Sequence, residues 1–164
     1  DATTMEEITS LAKKLKSKAT RLKHLHHLTL HQGEMFGWDD TACAITYNPS
    51  APDAAAYLLH EFGHAALRHT GYKYDIDLIK MERAAWDKAL AIASQYKVSI
   101  NEGLIEDALD SYRDWLHNRS LCPACNATGV QTNNSYRCIS CGASWRANDA
   151  RTCALRRYPT KKRP

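Results

Sequence analysis

Residues 50–71 read SAPDAAAYLLHEFGHAALRHTG, and this stretch predicts a helix that carries two histidines one turn apart. The run Ala54–Leu67 is rich in alanine and leucine, and Ser50 is suited to the N-cap position. Because positions i and i+4 of a helix share one face, the imidazoles of His60 and His64 can reach a single metal ion.

The pentapeptide from His60 to His64 has the H-E-x-x-H form that is typical of zinc-dependent peptidases. Glu61 projects beside the metal, where a carboxylate can accept a proton from a zinc-activated water. Catalytic zinc needs three protein ligands and an open position, so a third ligand is expected elsewhere in the chain. The extended H-E-x-x-H pattern has a third histidine six residues after the second, but this position is Thr70 here. His69 is one residue too early and is expected to point away from the metal.

The predicted third ligand is Glu82. Residues 77–95 show the apolar spacing of a helix, and Glu82 falls within the apolar stripe. A carboxylate among core-facing residues is costly unless it is paired, hydrogen-bonded or bound to a metal. The small side chain of Ala85, one turn further on, allows two helices to approach closely. The alternatives are a salt-bridged glutamate at the edge of the stripe, or Asp75 or Asp77 as the ligand.

Residues 42–47, ACAITY, predict a short strand before the metal helix, and an exposed edge of this strand would suit pairing with an extended peptide. Three tyrosines, Tyr47, Tyr72 and Tyr74, lie near enough in sequence to donate a hydrogen bond to an oxyanion, and the sequence does not distinguish among them. Cys43 has two interpretations, a thiolate ligand to the same zinc or a small buried hydrophobic residue.

Two C-x-x-C pairs, Cys122 with Cys125 and Cys138 with Cys141, are separated by twelve residues. This spacing predicts a hairpin whose four thiolates hold a second Zn²⁺ tetrahedrally, as in a zinc ribbon. That zinc would be structural because four thiolates leave no open position. Two disulfides are the alternative, but no secretory signal is recognised, and a cytoplasmic protein is expected.

Charge is divided unevenly along the chain. Residues 1–121 hold 14 Lys and Arg against 17 Asp and Glu, whereas residues 122–164 hold 8 against 1. A basic zinc ribbon with aromatic residues Tyr136 and Trp145 suits nucleic-acid binding, but a protein-docking or stabilising ribbon fits equally. No segment is apolar enough to cross a membrane, and the sequence does not indicate the oligomeric state.

The predicted fold class is α+β. A mainly helical, minimal zincin domain with a short sheet is expected over residues 1–120, a β zinc ribbon over 121–148 and a basic, flexible tail over 149–164. Capping boxes predict two further helices, one from Thr4 to about Leu28 and one from Ser99 to about His117.

Three segments, residues 44–49, 60–64 and 82–86, resemble the small gluzincin metallopeptidases of the ImmA/IrrE type. The resemblance covers about residues 40–95. It implies an intracellular zinc endopeptidase with His60, His64 and Glu82 as ligands and Glu61 as general base. Understood members cleave a transcriptional repressor, so a regulatory protein is the implied class of substrate.

Two other interpretations remain. The chain also resembles SprT-like peptidases, which digest proteins crosslinked to DNA, in its size, its Asn-Pro before the motif and its basic C-terminal ribbon. Those enzymes take histidine as the third ligand, and no histidine lies between His69 and His117. The third interpretation is a non-catalytic nucleic-acid- or protein-binding module built on the ribbon. Glu61 argues against it, because a purely structural zinc site does not need that carboxylate.

Overall fold

The computed structural model describes residues 3–160, which fold into a mixture of helices and two small sheets. This confirms the predicted α+β class. In chain order the elements are α1 (Met5–Ala19), β1 (Thr29–Gln32), β2 (Gly37–Asp39), β3 (Ala44–Tyr47), α2 (Ala54–Ala66), α3 (Asp75–Ala93), a 3-10 turn (Ser94–Tyr96), α4 (Glu102–Ser120), β4 (Gly129–Thr132), β5 (Ser135–Cys138), β6 (Ser144–Ala147) and β7 (Arg157–Pro159).

Contacts divide the chain into two units. The first comprises the chain up to Thr70 together with Met81–Leu104, and the second comprises Gly71–Lys80 and the chain from Ile105 onward. Helix α3 therefore contributes residues to both units. The predicted domain boundaries at residues 120 and 148 stay predictions. No helix within residues 3–160 has both the length and the apolar character needed to span a bilayer.

The first sheet has the order β1-β3-β2, with β3 parallel to β1 and antiparallel to β2. The expectation of an exposed edge on the strand at residues 42–47 was wrong, because β3 is paired on both sides. The sheet edges are β1 and β2 instead. These short strands, TLHQ and GWD, were not predicted because neither shows the alternation of apolar and polar residues that marks a half-buried strand.

Helix α1 begins at the predicted capping box, in which the Glu7 amide donates to Thr4 Oγ1 at 3.2 Å. It ends at Ala19 and not near Leu28. Beyond it, successive three-residue turns still bury Leu25 and Leu28. The sequence predicted a longer helix because these turns place Leu22, Leu25 and Leu28 three residues apart, and apolar residues at this spacing are also typical of an amphipathic helix.

Helix α2 is buried on nearly all sides, and Leu58, Leu59 and Phe62 have no exposed surface. Its N-cap is Asp53, in a left-handed conformation with φ of 56°, and not Ser50. The Ser50 amide donates instead to Asn48 Oδ1 at 3.0 Å, an Asx turn that places Ser50 before the helix. Burial on all sides, rather than a strong cap, stabilises this helix.

Helix α4 begins at Glu102, where the Asn101 side chain accepts a hydrogen bond from the Gly103 amide at 2.7 Å. The N-cap is therefore Asn101 rather than the predicted Ser99. The helix continues to Ser120, three residues beyond the predicted end.

The second sheet is antiparallel with the order β4-β5-β6-β7. Tyr136 and Trp145 face each other across β5 and β6, stacked at 5.6 Å between ring centres, and pack with Cys122 and Cys138 in a small core. Strand β7 lies within the segment predicted as a flexible tail and pairs with β6. Residues 161–164 of that segment lie outside the described residues.

Candidate metal centres

His60, His64 and Glu82 converge in the first unit, and we call them the His–Glu triad. The two Nε2 atoms lie 3.1 Å apart, and the Glu82 carboxylate oxygens lie 2.9 Å from His60 and 3.2 Å from His64. All three side chains are buried. Residues from two helices that were predicted to share a metal are therefore brought together.

The donor set and its spacing fit zinc. Ligand bonds of about 2.0–2.1 Å in a tetrahedral site put neighbouring ligand atoms about 3.3–3.4 Å apart. The three separations in the triad are only slightly shorter, at 2.9–3.2 Å. Two imidazoles and one carboxylate also leave one position open, which is the arrangement of a catalytic rather than a structural zinc.

The charge states of the triad suit a divalent cation. Burial raises the pKa of Glu82, but hydrogen bonds and charges from His60 and His64 outweigh it and lower that pKa to about 2, so the carboxylate is ionised. Burial lowers the pKa of His60, which favours the neutral imidazole that binds metals.

A close helix crossing holds Glu82 against the histidines. Gly63 of α2 lies so near to α3 that a Cβ built on it would come within 2.4 Å of the Ala85 carbonyl oxygen. Ala85 is fully buried, which confirms the close approach predicted from its small side chain. The crossing lies one turn from Glu82 and therefore sets the distance between the Glu82 carboxylate and the two histidines.

His69, which the sequence suggested would point elsewhere, lies against the outer side of His64. The two Nδ1 atoms are 2.8 Å apart. The chain reverses after α2 through Arg68, whose φ is 57°, and the His69 amide donates to the His64 carbonyl. These contacts form a Schellman motif at the C-terminus of α2, and the reversal of the chain places the His69 ring against the last turn of the helix. The Trp38 indole N–H fixes the reversal by donating to the His69 carbonyl at 2.9 Å.

The ring of His60 is oriented by stacking instead of by a hydrogen bond. It lies on Trp86 at 4.2 Å with an interplanar angle of 27°. The buried Nδ1 of His60 has no hydrogen-bond partner among the described residues. Stacking on Trp86 therefore fixes the plane of the His60 ring, while His60 Nε2 faces His64 and Glu82.

Glu61, the predicted general base, lies on α2 between the two histidines and is half-buried. Burial raises its pKa, the charge of Glu82 acts in the same direction, and His64 opposes them, giving a value of about 7. A carboxyl group that titrates near neutrality is suited both to accept and to return a proton. Its catalytic role stays a prediction.

The three candidate oxyanion donors fall in different places. Tyr47 is buried in β3 of the first unit. Tyr72 and Tyr74 belong to the second unit, where the Tyr72 ring contacts Trp115 at 6.4 Å and the Tyr74 ring lies 5.2 Å from Lys73 Nζ. None of these contacts involves the triad, so the donor role stays a prediction for each tyrosine.

The alternative ligands have other partners. Asp75, which is 2% exposed, accepts hydrogen bonds from Arg119, Gln131 and the Tyr136 hydroxyl within the second unit. The Asp77 carboxylate accepts from the Tyr74 amide at 3.2 Å. This buried network was missed from the sequence, which gave Asp75 no partner because Arg119 and Tyr136 lie 44 and 61 residues away.

Cys43 is half-buried and in a left-handed conformation with φ of 49°. Its carbonyl accepts from the Thr29 amide, which joins β3 to β1. Its sulfur is not part of either group of converging ligand atoms found in residues 3–160.

The four cysteines Cys122, Cys125, Cys138 and Cys141 also converge, and we call them the cysteine cluster. Their sulfurs lie 3.6 Å apart between Cys122 and Cys141 and 3.5 Å apart between Cys125 and Cys138. A disulfide requires about 2.05 Å, whereas zinc–sulfur bonds of about 2.3 Å in a tetrahedron separate sulfurs by about 3.8 Å. The cluster therefore fits zinc and not two disulfides.

Backbone geometry favours a thiolate at Cys138, whereas the neighbouring cysteine sulfurs raise the pKa of Cys125 to about 11. The Cys141 amide donates to the Cys138 sulfur at 3.4 Å, and this bond is the main cause that lowers the pKa of Cys138 to about 6. The turn is completed by Gly142, whose φ of 76° is readily adopted only by glycine. In the other C-x-x-C turn, the Ala124 amide donates to the Cys122 sulfur, also at 3.4 Å.

The chain matches no family model, no curated protein and no solved structure. Any functional assignment therefore depends on the geometry of the two metal centres.

Proposed function

We propose that this protein is a zinc-dependent endopeptidase whose catalytic centre is the His–Glu triad together with Glu61. The observation that carries the proposal is the convergence of His60, His64 and Glu82, which fits zinc with one open position. Glu61 distinguishes this centre from a structural one, because a structural zinc site does not need a second, titratable carboxyl group in addition to its ligands.

The mechanism follows from the positions of these side chains. Zinc held by the triad would supply a Lewis acid and lower the pKa of a water molecule. Glu61 accepts the proton as the water attacks the scissile carbonyl and then delivers it to the leaving amine. His69 positions His64 through its Nδ1 atom, whereas His60, whose Nδ1 has no partner among the described residues, is held by stacking on Trp86.

The cysteine cluster and the second sheet form the proposed zinc ribbon, with a structural Zn²⁺. A sheet with a core of four buried residues has little apolar surface to stabilise it, and a metal supplies the missing stability.

The proposed substrate is a protein, and a transcriptional regulator is the class implied by the ImmA/IrrE resemblance. The nearness of Glu82 to both histidines supports this family over the SprT-like one, which requires a histidine ligand. The proposed compartment is the cytoplasm, where thiols remain reduced and available to zinc.

The first test is zinc content by elemental analysis. Wild-type protein should hold two zinc ions per chain, Glu82→Ala about one, and Glu34→Gln, a control at an exposed glutamate, two. One zinc in both wild type and Glu82→Ala would mean that only the cysteine cluster binds metal, and the peptidase proposal would be abandoned for the binding module.

The second test is cleavage of an unfolded protein such as reduced, alkylated casein. Glu61→Gln should keep both zinc ions and lose turnover, because the amide cannot accept a proton. Cleavage at the wild-type rate by Glu61→Gln would refute the proposed mechanism while leaving the metal site intact.

A further inference from the structure

The second sheet has one buried and one exposed face. Tyr136 and Trp145 point into the small core, and their neighbours along each strand must point the other way because side chains alternate. The exposed side, which we call the outer face, carries Val130, Thr132, Arg137, Arg146 and Tyr158.

The register places cations beside apolar and aromatic side chains on the outer face. Val130 lies opposite Arg137, and Arg146 lies opposite Tyr158. Val130 is 53% exposed and Tyr158 is 51% exposed. The aromatic ring of Tyr158 is therefore accessible to a planar ligand beside the Arg146 cation, and Val130 adds apolar surface beside Arg137.

Among the described residues, no side chain pairs with either arginine of the outer face. Two neighbouring arginines of this unit are engaged, since Arg157 donates to the Leu121 carbonyl at 2.6 Å and Arg151 pairs with Asp149 at 2.9 Å. Within residues 3–160, no hydrogen bond or ion pair holds the guanidinium of Arg137 or Arg146. Asp149 is the only acidic residue in the sequence from position 121 onward. Nearby acidic residues of the same segment therefore offer these two cations almost no counter-charge.

We propose that the outer face binds single-stranded nucleic acid. Arg137 and Arg146 would contact successive phosphates, and an unpaired base would stack on the Tyr158 ring. A duplex keeps its bases stacked on one another and cannot offer a free base to the ring. An acidic peptide could use the charges but would leave the aromatic side chain unexplained. The proposal goes beyond the peptidase function, because it involves no residue of the His–Glu triad.

Binding is tested by fluorescence anisotropy of a labelled 20-nucleotide oligo(dT), with the full-length, zinc-loaded protein. Tyr158→Ala should weaken binding about 10-fold, because the stacked base loses its aromatic partner, while Tyr158→Phe should bind as wild type. Replacing both Arg137 and Arg146 by alanine should weaken binding and reduce the slope of log K against log salt by about 1.4, or about 0.7 for each lost phosphate contact.

The matched control replaces Lys13 and Lys14 by alanine, which removes two exposed charges from α1 in the other unit. Zinc content of each variant shows that the cysteine cluster is intact. Unlabelled duplex or poly-glutamate that competes as well as oligo(dT) would overturn the proposal. An equal loss from the lysine control would also overturn it, because the binding would then reflect net charge alone. Cleavage assays are not involved, so failure here leaves the peptidase proposal standing.

Discussion

The substitution Gly63→Ala tests whether the crossing of α2 and α3 sets the geometry of the His–Glu triad. The new methyl group would lie 2.4 Å from the Ala85 carbonyl oxygen, which belongs to the backbone and cannot rotate away. The separation must grow to at least 3.0 Å, a movement of about 0.6 Å between the helices. Glu82 lies one turn before Ala85 and must move with it.

Two opposite effects on stability are expected. Overpacking at a helix contact costs about 1–3 kcal/mol. Alanine in place of glycine within a helix stabilises by about 1 kcal/mol. The free energy of unfolding of the zinc-free protein should therefore fall by about 0–2 kcal/mol. The effect on metal binding has no such compensation, because a movement of about 0.6 Å displaces the Glu82 carboxylate relative to both histidines, whereas metal–ligand distances tolerate only about 0.2 Å.

We expect zinc affinity at the triad to fall about 10- to 100-fold, the range seen when support of a metal ligand is lost. The assay is competition with a chelator, in which the cysteine cluster of the same chain serves as an internal reference. Gly37→Ala is the matched control, because a Cβ at that position meets nothing within 4 Å. If Gly63→Ala binds zinc like wild type and its free energy of unfolding is about 1 kcal/mol higher, helix propensity alone accounts for the effect of the substitution. The argument that the helix crossing sets the geometry of the triad would then be wrong.

Three further predictions concern other contacts. His69→Ala should weaken zinc binding at the triad about 10-fold in the chelator assay, with partial recovery in His69→Asn; equal losses in both would mean that the hydrogen-bonding group facing His64 is not what matters. Asp75→Asn leaves the part-buried Arg119 without its counter-charge and should destabilise the second unit by about 3 kcal/mol in urea unfolding; a change below 1 kcal/mol would contradict this. Burial and the Asp75 carboxylate raise the pKa of Tyr136 above its usual value of about 10. The contribution of Tyr136 to the free energy of unfolding is therefore complete below about pH 10 and is lost as the pH rises through the folded-state pKa, at about 1.4 kcal/mol per pH unit. Tyr136→Phe should remove this slope of stability against pH.

The sequence was informative where chemistry requires a fixed spacing. His60 and His64 had to lie one helical turn apart, and the C-x-x-C pairs had to present two sulfurs each. Glu82 was found by a different argument, the cost of burying a carboxylate without a partner. Such constraints act within a few residues or through burial, and both can be recognised without knowing the fold.

The sequence was least informative where long-range contacts determine the structure. Strands β1 and β2 have little strand character of their own, and they form because β3 offers hydrogen bonds on both sides. The end of α1 was misplaced because three-residue turns repeat the apolar spacing of a helix. The partners of Asp75 could not be found at all, since no local pattern connects positions 44 and 61 residues apart.

His69 shows how a local irregularity can complete a site. The helix predicted within residues 50–71 ends at Ala66, and the chain reverses through Arg68, which adopts a left-handed conformation that costs a non-glycine residue about 1 kcal/mol. If the helix continued past His64, five residues at about 100° each would place residue 69 about 500° around the axis, which is about 140° beyond one full turn. Its side chain would then lie well away from the outer side of the His64 ring. The Schellman reversal is what brings the two Nδ1 atoms to 2.8 Å, so the strained Arg68 and the support of a metal ligand are parts of one arrangement.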